Sequence, residues 1–241
     1  ASVNGGLGGV TDAILSPDDQ FLYTASSSGV GVYKFADEQL TLVESDTADN
    51  SLNGLRPMAL SYDGHWLYTV AENSGALVVF RRNDGSGKLD VIQTLSNGQD
   101  DVSTLRGAYR VAVSKDGKQV YVSSGRNQGD QAITAFTVQE DGRLKLLQQF
   151  INGSDDFNEF EGGNEITVSP DGKSVFAVAS VSDRLFWFRR DPAAGKLTFV
   201  TSEQAGTFLT EGASGVCASP DGKFVYVADM SEGAIEAYRV H

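Results

Sequence analysis

Hydrophobic residues along this chain fall in short runs, and none has the length or the 3.6-residue period of a helix. Runs such as Phe224-Val225-Tyr226-Val227 are rich in Val, Ile, Phe and Tyr, and polar clusters of Gly, Asp, Asn and Ser cut them off, which predicts β-strands joined by tight turns. The polar interruptions recur. Ser16-Pro17-Asp18-Asp19, Ser61-Tyr62-Asp63-Gly64, Ser114-Lys115-Asp116-Gly117, Ser169-Pro170-Asp171-Gly172 and Ser219-Pro220-Asp221-Gly222 are one unit written five times, with serines 45, 53, 55 and 50 residues apart. Pro presets φ, Asp bonds its own backbone and Gly accepts positive φ, so the unit is a reversal between antiparallel strands.

A second layer is anchored on the same serines. Seven residues before each stands a glycine (Gly9, Gly54, Gly107, Gly162, Gly212), and seven after each an aromatic (Tyr23, Tyr68, Tyr121, Phe176, Tyr226). Later in each unit an apolar run closes on an aromatic (Tyr33, Phe80, Phe136, Phe188, Tyr238), and in the first four units a leucine follows a polar turn (Leu40, Leu89, Leu144, Leu197). Each unit therefore reads strand, turn, strand, loop, strand, turn, strand. A four-stranded sheet of this size cannot bury both faces alone, so the units must stack about an axis. The predicted fold is all-β: a single β-propeller of about five four-stranded antiparallel blades. The blades are expected near 9–53, 54–106, 107–161, 162–211 and 212–241 together with 1–8. The repeated aromatics are expected between the sheets. Only three residues follow Tyr238, so the last blade is either incomplete or closed by an N-terminal strand from Ser2-Val3-Asn4, and an unpaired edge would invite pairing with another chain.

Composition narrows the function classes. With 27 Gly and 40 % apolar residues the chain suits many short strands, and no stretch approaches the roughly 18 apolar residues of a membrane span. The 19 basic and 32 acidic side chains leave a net charge of −13, which disfavours a nucleic-acid partner and favours solubility or attraction of cations. No signal-peptide pattern opens the sequence, so either none exists or it was trimmed; a soluble protein is expected, with an extracytoplasmic location favoured. The one cysteine, Cys217, lies two residues before a turn serine and reads as a small buried side chain.

The Ser-Pro-Asp-Gly turns, the segments Lys173-Ser174-Val175-Phe176-Ala177-Val178-Ala179 and Lys223-Phe224-Val225-Tyr226-Val227-Ala228-Asp229, and the turns Gly142-Arg143-Leu144 and Gly195-Lys196-Leu197 resemble those of the lactonase-type β-propellers, the 6-phosphogluconolactonase-like proteins and their relatives with the tyrosine-valine-threonine-asparagine repeat. The resemblance covers nearly the whole chain. It implies the propeller fold and, less directly, hydrolysis of a lactone, because the motif consists of turn and core residues that unrelated propellers share. The chain departs from that family in two ways. The family usually has seven blades, whereas five units stand here. Many members carry a histidine shortly before the turn, whereas here the positions four residues ahead of each serine hold Asp12, Pro57, Arg110, Glu165 and Gly215, and the positions five ahead hold Thr11, Arg56, Tyr109, Asn164 and Ser214. His65 and His241 are the only histidines.

Loops leading into the innermost strands and loops joining the second and third strands should converge on one face around the axis. Arg56, Tyr109, Asn164, Asp183 and Arg184 are the candidate ligand-binding residues there. Arginines beside carboxylates suit either an anionic lactone or sugar acid, held by bidentate hydrogen bonds, or salt bridges between blades. For catalysis the inner strands offer Glu165 as base with Arg110 as its electrostatic partner. No nucleophile elbow occurs, and the histidines are misplaced for a triad. The acidic loops at Asp46–Asn50, Asp100-Asp101 and Asp155–Glu159 suit Ca²⁺ only weakly, since the EF-hand spacing is missing, so no cofactor is expected. The leading expectation is a non-catalytic binding or assembly module, with a protein partner or a small anionic ligand at the central funnel. The alternative is a hydrolase of small anionic sugar or muconate lactones. The chain would be a monomer or a homo-oligomer that shares a strand.

Overall fold

The computed structural model describes residues 8–27, 29–46, 53–126, 129–205 and 212–240, and every regular element among them is a strand. Blade 1 comprises β1 (Val10–Leu15), β2 (Phe21–Ser26), β3 (Gly29–Ala36) and β4 (Gln39–Asp46). Blade 2 comprises β5 (Leu55–Leu60), β6 (Trp66–Ala71), β7 (Ala76–Arg82) and β8 (Leu89–Ser96). Blade 3 comprises β9 (Ala108–Val113), β10 (Gln119–Ser124), β11 (Ala132–Val138) and β12 (Leu144–Ile151). Blade 4 comprises β13 (Gly163–Val168), β14 (Ser174–Ala179), β15 (Arg184–Arg190) and β16 (Leu197–Gln204). Blade 5 has three strands among the described residues, β17 (Ala213–Ala218), β18 (Phe224–Asp229) and β19 (Ala234–Arg239). Every sheet is an antiparallel meander in chain order. This is a β-propeller of about five blades.

The recurring serine has a definite task in each reversal. Its Oγ accepts the N–H of the residue five positions on (Phe21, Trp66, Gln119, Ser174, Phe224) at 2.9–3.0 Å. The same hydroxyl donates to the aspartate two positions on at 2.5–2.6 Å. One short polar side chain thus closes the hairpin and fixes the carboxylate, which in turn takes the N–H of the residue after the turn. All five turn aspartates are held below the usual carboxylate range. Burial opposes ionisation at four of them, but the serine and backbone donors outweigh it; in Asp221, which is more open, the Ser219 hydroxyl dominates.

The core lies between the sheets. Tyr23, Tyr68, Tyr121 and Phe176 are buried at successive interfaces, together with Phe80, Phe136 and Phe188. Each interface has its own apolar cluster, such as Phe21, Tyr23 and Val32 against Leu55, Leu60 and Leu67. The interface from blade 3 to blade 4 is the most aromatic, with Phe157 within 5.8 Å of Phe150, Phe160, Phe186, Phe188 and Phe199.

The innermost strands pack in sequence, β1 on β5, β5 on β9, β9 on β13 and β13 on β17, whereas β17 and β1 share no such packing among the described residues. The outer face of blade 5 is open: residues along β18 alternate exposed and buried, and Tyr226 keeps 37 % of its surface. Cys217, expected to be buried, is exposed on that side, where none of the described sheets covers it. The N-terminal segment expected to add a strand, Ser2-Val3-Asn4, lies outside the described residues.

Candidate functional site

All five innermost strands carry a register irregularity near their start. It falls between Val10 and Asp12, Leu55 and Met58, Ala108 and Arg110, Gly163 and Ile166, and Ala213 and Gly215. The positions four and five ahead of each turn serine lie in these irregular stretches. A β-bulge bends its strand and re-aims the side chains it carries, which here brings residues from different blades together near the axis.

Arg110 of β9 and Glu165 of β13 meet there. The guanidinium places Nη2 2.5 Å and Nε 2.7 Å from Glu165 Oε2, tying blade 3 to blade 4. Burial pushes the Glu165 carboxyl above its ordinary value; Arg110 and the Ile166 N–H counter this, and the negative charge of Asp12 adds to the rise. Asp12, on β1, thus shares the electrostatic environment of Glu165, while its Oδ2 accepts the Met58 N–H at 2.8 Å and ties blade 1 to blade 2. Asn164, next to Glu165, is buried.

A second group adjoins the first through Tyr109. The Arg56 guanidinium lies 5.1 Å and that of Arg126 4.4 Å from the centre of the Tyr109 ring, a double cation–π arrangement across blades 2 and 3. Arg56 is also paired with the buried carboxylate of Glu72. Arg126 makes no ion pair among the described residues. It lines a groove of about 530 Å³ between blades 2 and 3, together with Glu72, Asn73, Asn97 and Arg106, and Arg106 is paired with Asp130 at 2.7 Å. Neither Arg110 nor Glu165 lines that groove. Its floor depends on Gly107, at φ +66°, where a Cβ would sit 2.3 Å from the Arg126 carbonyl oxygen. The absence of that atom lets the loop carrying Arg126 fold against the start of β9, where the Gly125 N–H donates to the Gly107 carbonyl at 3.0 Å.

Asp183 and Arg184 lie where β15 of blade 4 begins, and each has partners of its own. Asp183 is buried at 1 % exposure and its Oδ1 accepts the Ala213 N–H at 2.9 Å, which fastens blade 5; burial raises its carboxyl, and the charges of Asp229 and Glu232 add to this. Arg184 pairs with Glu159 at 2.8 Å. His65 sits in a turn with Nδ1 3.5 Å from Asp84 Oδ2, and His241 lies outside the described residues.

The acidic loops are built as turns. Asp100, Asp101, Asp155 and Glu159 adopt positive φ, and the Asn97 and Asn152 side chains accept the Leu105 and Phe160 N–H groups at 2.8 and 2.9 Å. Among the described residues no cluster of three or more His, Cys, Asp or Glu side chains is placed to hold a metal ion, and Thr47 to Asn50 lie outside them.

Sequence reading missed the bulges, which carry no composition of their own, and gave Arg126 no special weight. The signal for Arg126 was its place in the loop joining β10 and β11, one of the second-to-third-strand loops expected to converge on the axial face.

Comparison with known proteins places this geometry. Residues 12–207 match the family described as lactonase, 7-bladed beta-propeller. Among solved structures, the chain resembles a protein from Lactobacillus plantarum (23 % identity, TM-score 0.71), covering 84 % of this chain and 56 % of that one. It resembles a putative 6-phosphogluconolactonase from Bacteroides uniformis (21 %, TM-score 0.66), covering 81 % and 55 %. It also resembles the periplasmic gluconolactonase of Pseudomonas aeruginosa (26 %, TM-score 0.68), covering 82 % and 54 %. The chain therefore spans little more than half the length of these three structures. With an all-β fold of stacked four-stranded blades and a family match over most of its length, the chain belongs to the lactonase-type seven-bladed β-propeller family.

Proposed function

We propose that this propeller hydrolyses a small anionic lactone at the axial group of Arg110 and Glu165, with Tyr109, Arg56, Arg126 and Asn164 holding the substrate. Family membership and the resemblance to gluconolactonases support the hydrolase alternative over a non-catalytic module. The observation that carries the reading is the Arg110–Glu165 pair itself: a carboxyl raised by burial, beside a guanidinium, in strands that bulge at that point.

The chemistry needs no covalent intermediate. A water molecule attacks the lactone carbonyl and gives its proton to the Glu165 carboxylate, while the Arg110 guanidinium stabilises the tetrahedral oxyanion. Collapse breaks the ring C–O bond, and the protonated Glu165 returns the proton to the leaving alkoxide, which yields the open hydroxy acid. The Arg126 guanidinium, which lacks an ion-pair partner among the described residues, faces the substrate's carboxylate or phosphate. The resemblance to a periplasmic protein supports an extracytoplasmic location.

The test is proton release from δ-gluconolactone, its 6-phosphate and a muconolactone in a pH-stat, corrected for spontaneous opening. Glu165→Gln should cost about 10²- to 10⁴-fold in kcat, the range of a positioned general base, with KM nearly unchanged. If the intact chain hydrolyses none of these, Arg110 and Glu165 are a tie between blades 3 and 4 and the protein is a binding module.

A further inference from the structure

The loops that follow the outermost strands of blades 2 and 3 share one backbone. After β8 the Gly98 N–H donates to the Val102 carbonyl at 2.6 Å and the Val102 N–H to the Gln99 carbonyl at 2.8 Å; after β12 the Gly153 N–H donates to the Phe157 carbonyl at 2.9 Å and the Phe157 N–H to the Ser154 carbonyl at 3.1 Å. Each loop carries two aspartates, Asp100-Asp101 and Asp155-Asp156, immediately before the residue it tucks between the sheets. What lies beneath those aspartates differs. Between blades 2 and 3 it is Val102, in one apolar cluster with Leu95 of β8 and Leu146 of β12. Between blades 3 and 4 the equivalent positions hold Phe157, Phe150 of β12 and Phe199 of β16: Phe150 pairs with Ile133 as Leu95 pairs with Leu77, and Phe199 with Phe188 as Leu146 with Phe136. Aliphatic side chains at all three positions suffice to close the one interface, so packing alone does not call for three rings at the other.

The three rings line a groove of about 380 Å³ between the outer strands of blades 3 and 4, and Ser154, Asp155, Asp156 and Thr198 complete its wall. Phe157 is the base. Phe150 stands at 66° to it and Phe199 at 80°, each with ring centres 5.8 Å away, so two half-buried rings rise as walls on a buried third. Phe188, fully buried, fills the space behind the walls, 5.0 Å from Phe150 and 5.5 Å from Phe199.

The polar groups around this box select the charge of a ligand. The Gln148 amide is committed to the Leu197 backbone, accepting its N–H at 3.0 Å and donating to its carbonyl at 3.1 Å. Gln149 accepts the Ser103 N–H at 2.9 Å and the Thr104 hydroxyl at 2.7 Å, and donates to the Asp101 carbonyl at 3.3 Å. Asp155 and Asp156 are exposed and make no ion pair among the described residues, and no lysine or arginine lines the groove. Ring faces carry the negative end of the aromatic quadrupole, and the carboxylates add full negative charge, so the groove repels anions and attracts cations. A bare metal ion would give up water to rings that cannot replace it. An alkylated ammonium spreads its charge over methyl groups that pack against rings, and the net charge of −13 favours its approach.

We infer that this groove binds an alkylated ammonium group, the head of a choline-like amine or of a methylated lysine, with Phe150, Phe157 and Phe199 around the methyl groups and Asp155 and Asp156 supplying the counter-charge. The site is separate from the Arg110–Glu165 pair and its occupancy is read without lactone turnover.

The experiment is isothermal titration of the full chain at low ionic strength with choline and with a short peptide carrying one trimethylated lysine. Saturable binding of either supports the proposal, and the tighter of the two identifies the source of the ammonium group. The neutral isostere of choline, with a tert-butyl group in place of the trimethylammonium, should bind about tenfold more weakly. Phe150→Leu with Phe199→Leu copies the interface between blades 2 and 3 and should weaken binding about tenfold or more, with thermal unfolding as the check on folding. Asp155→Asn with Asp156→Asn changes only the exposed loop and leaves the rings in place. It should weaken binding about threefold or more and flatten its dependence on salt. Failure of both ligands to bind overturns the proposal. So does an isostere that binds as tightly as choline, or an affinity that either pair of substitutions leaves unchanged.

Discussion

Replacing Arg190 by valine, the residue found at the equivalent register in blade 3, removes a guanidinium that is buried at 3 % exposure and binds four groups. It donates to Tyr121 Oη, the Gly172 carbonyl at 2.8 Å, both Asp116 oxygens and Gln119 Oε1. Without it, Tyr121 keeps a fully buried hydroxyl whose ionisation burial has already pushed up to about 12, and the Gly172 carbonyl loses its donor. Breaking a buried pair by removing one partner costs about 3–5 kcal/mol. The lower end applies, because the Asp116 side chain is 34 % exposed and retains its bonds from Ser114 and the Lys118 N–H. A loss of about 3 kcal/mol corresponds to a fall in Tm of roughly 6–12 °C for a domain of this size. The assay is thermal unfolding followed by circular dichroism, checked by urea titration. Adding Tyr121→Phe to Arg190→Val should recover nothing, because the Tyr121 hydroxyl still donates to the Gly195 carbonyl at 3.2 Å and its removal leaves that carbonyl without a donor. A Tm within about 2 °C of the parent, the range of ordinary surface substitutions, would refute the claim that the arginine latches blade 4 to blade 3.

Other expectations follow from the same contacts. Asp18 is held at about 2 against an ordinary 3.8: burial works against ionisation, but Ser16 and Arg82 outweigh it. A depressed folded-state pKa gives stability that is fully present above the unfolded value and lost as pH falls through the folded one, so the urea midpoint should drop between about pH 4 and pH 2, with a shallower drop in Asp18→Asn. For the proposed reaction, kcat/KM should decline as pH falls through the Glu165 pKa, with a midpoint above the ordinary 4.5, and residual activity in Glu165→Gln should lack that limb. Gly107→Ala should drive the Arg126 loop out of place, lowering Tm and raising KM for an anionic lactone more than for a neutral one, as steady-state kinetics would show. Arg126→Met should raise KM for the 6-phosphate about tenfold or more while leaving kcat within about twofold, the pattern of lost uniform binding.

Much of the fold was legible in the sequence because its determinants are local. The turn serine, aspartate and the flanking aromatics act within seven residues of one another, and the four turns that end in glycine hold it at positive φ as their chemistry requires; Asp19, in the glycine position of the first, adopts positive φ itself. The buried set Tyr23, Tyr68, Tyr121 and Phe176 was equally predictable, since a strand's alternation tells which face meets the next sheet. Arg110 and Glu165 could be nominated as a pair, because both fall at the same offset from their serines.

Other features had no local signature. A bulge inserts a single residue into a register, and nothing in Leu55-Arg56-Pro57-Met58 or Gly163-Asn164-Glu165-Ile166 announces it. The arginine latches join residues 64 and 74 positions apart, and whether such a residue meets an aspartate or a valine is settled only when two sheets stack. The Phe-Arg-Arg ends of β7 and β15 were the visible trace of those latches. The sequence by itself determined the blade, its turns and the number of repeats, because hairpins obey short-range steric and hydrogen-bonding rules. Only the tertiary structure decided which charges face the axis, which are consumed between blades, and that no described sheet packs on the outer face of the last one. Those outcomes depend on how rigid sheets pack around a common axis, which contacts within a single hairpin do not specify.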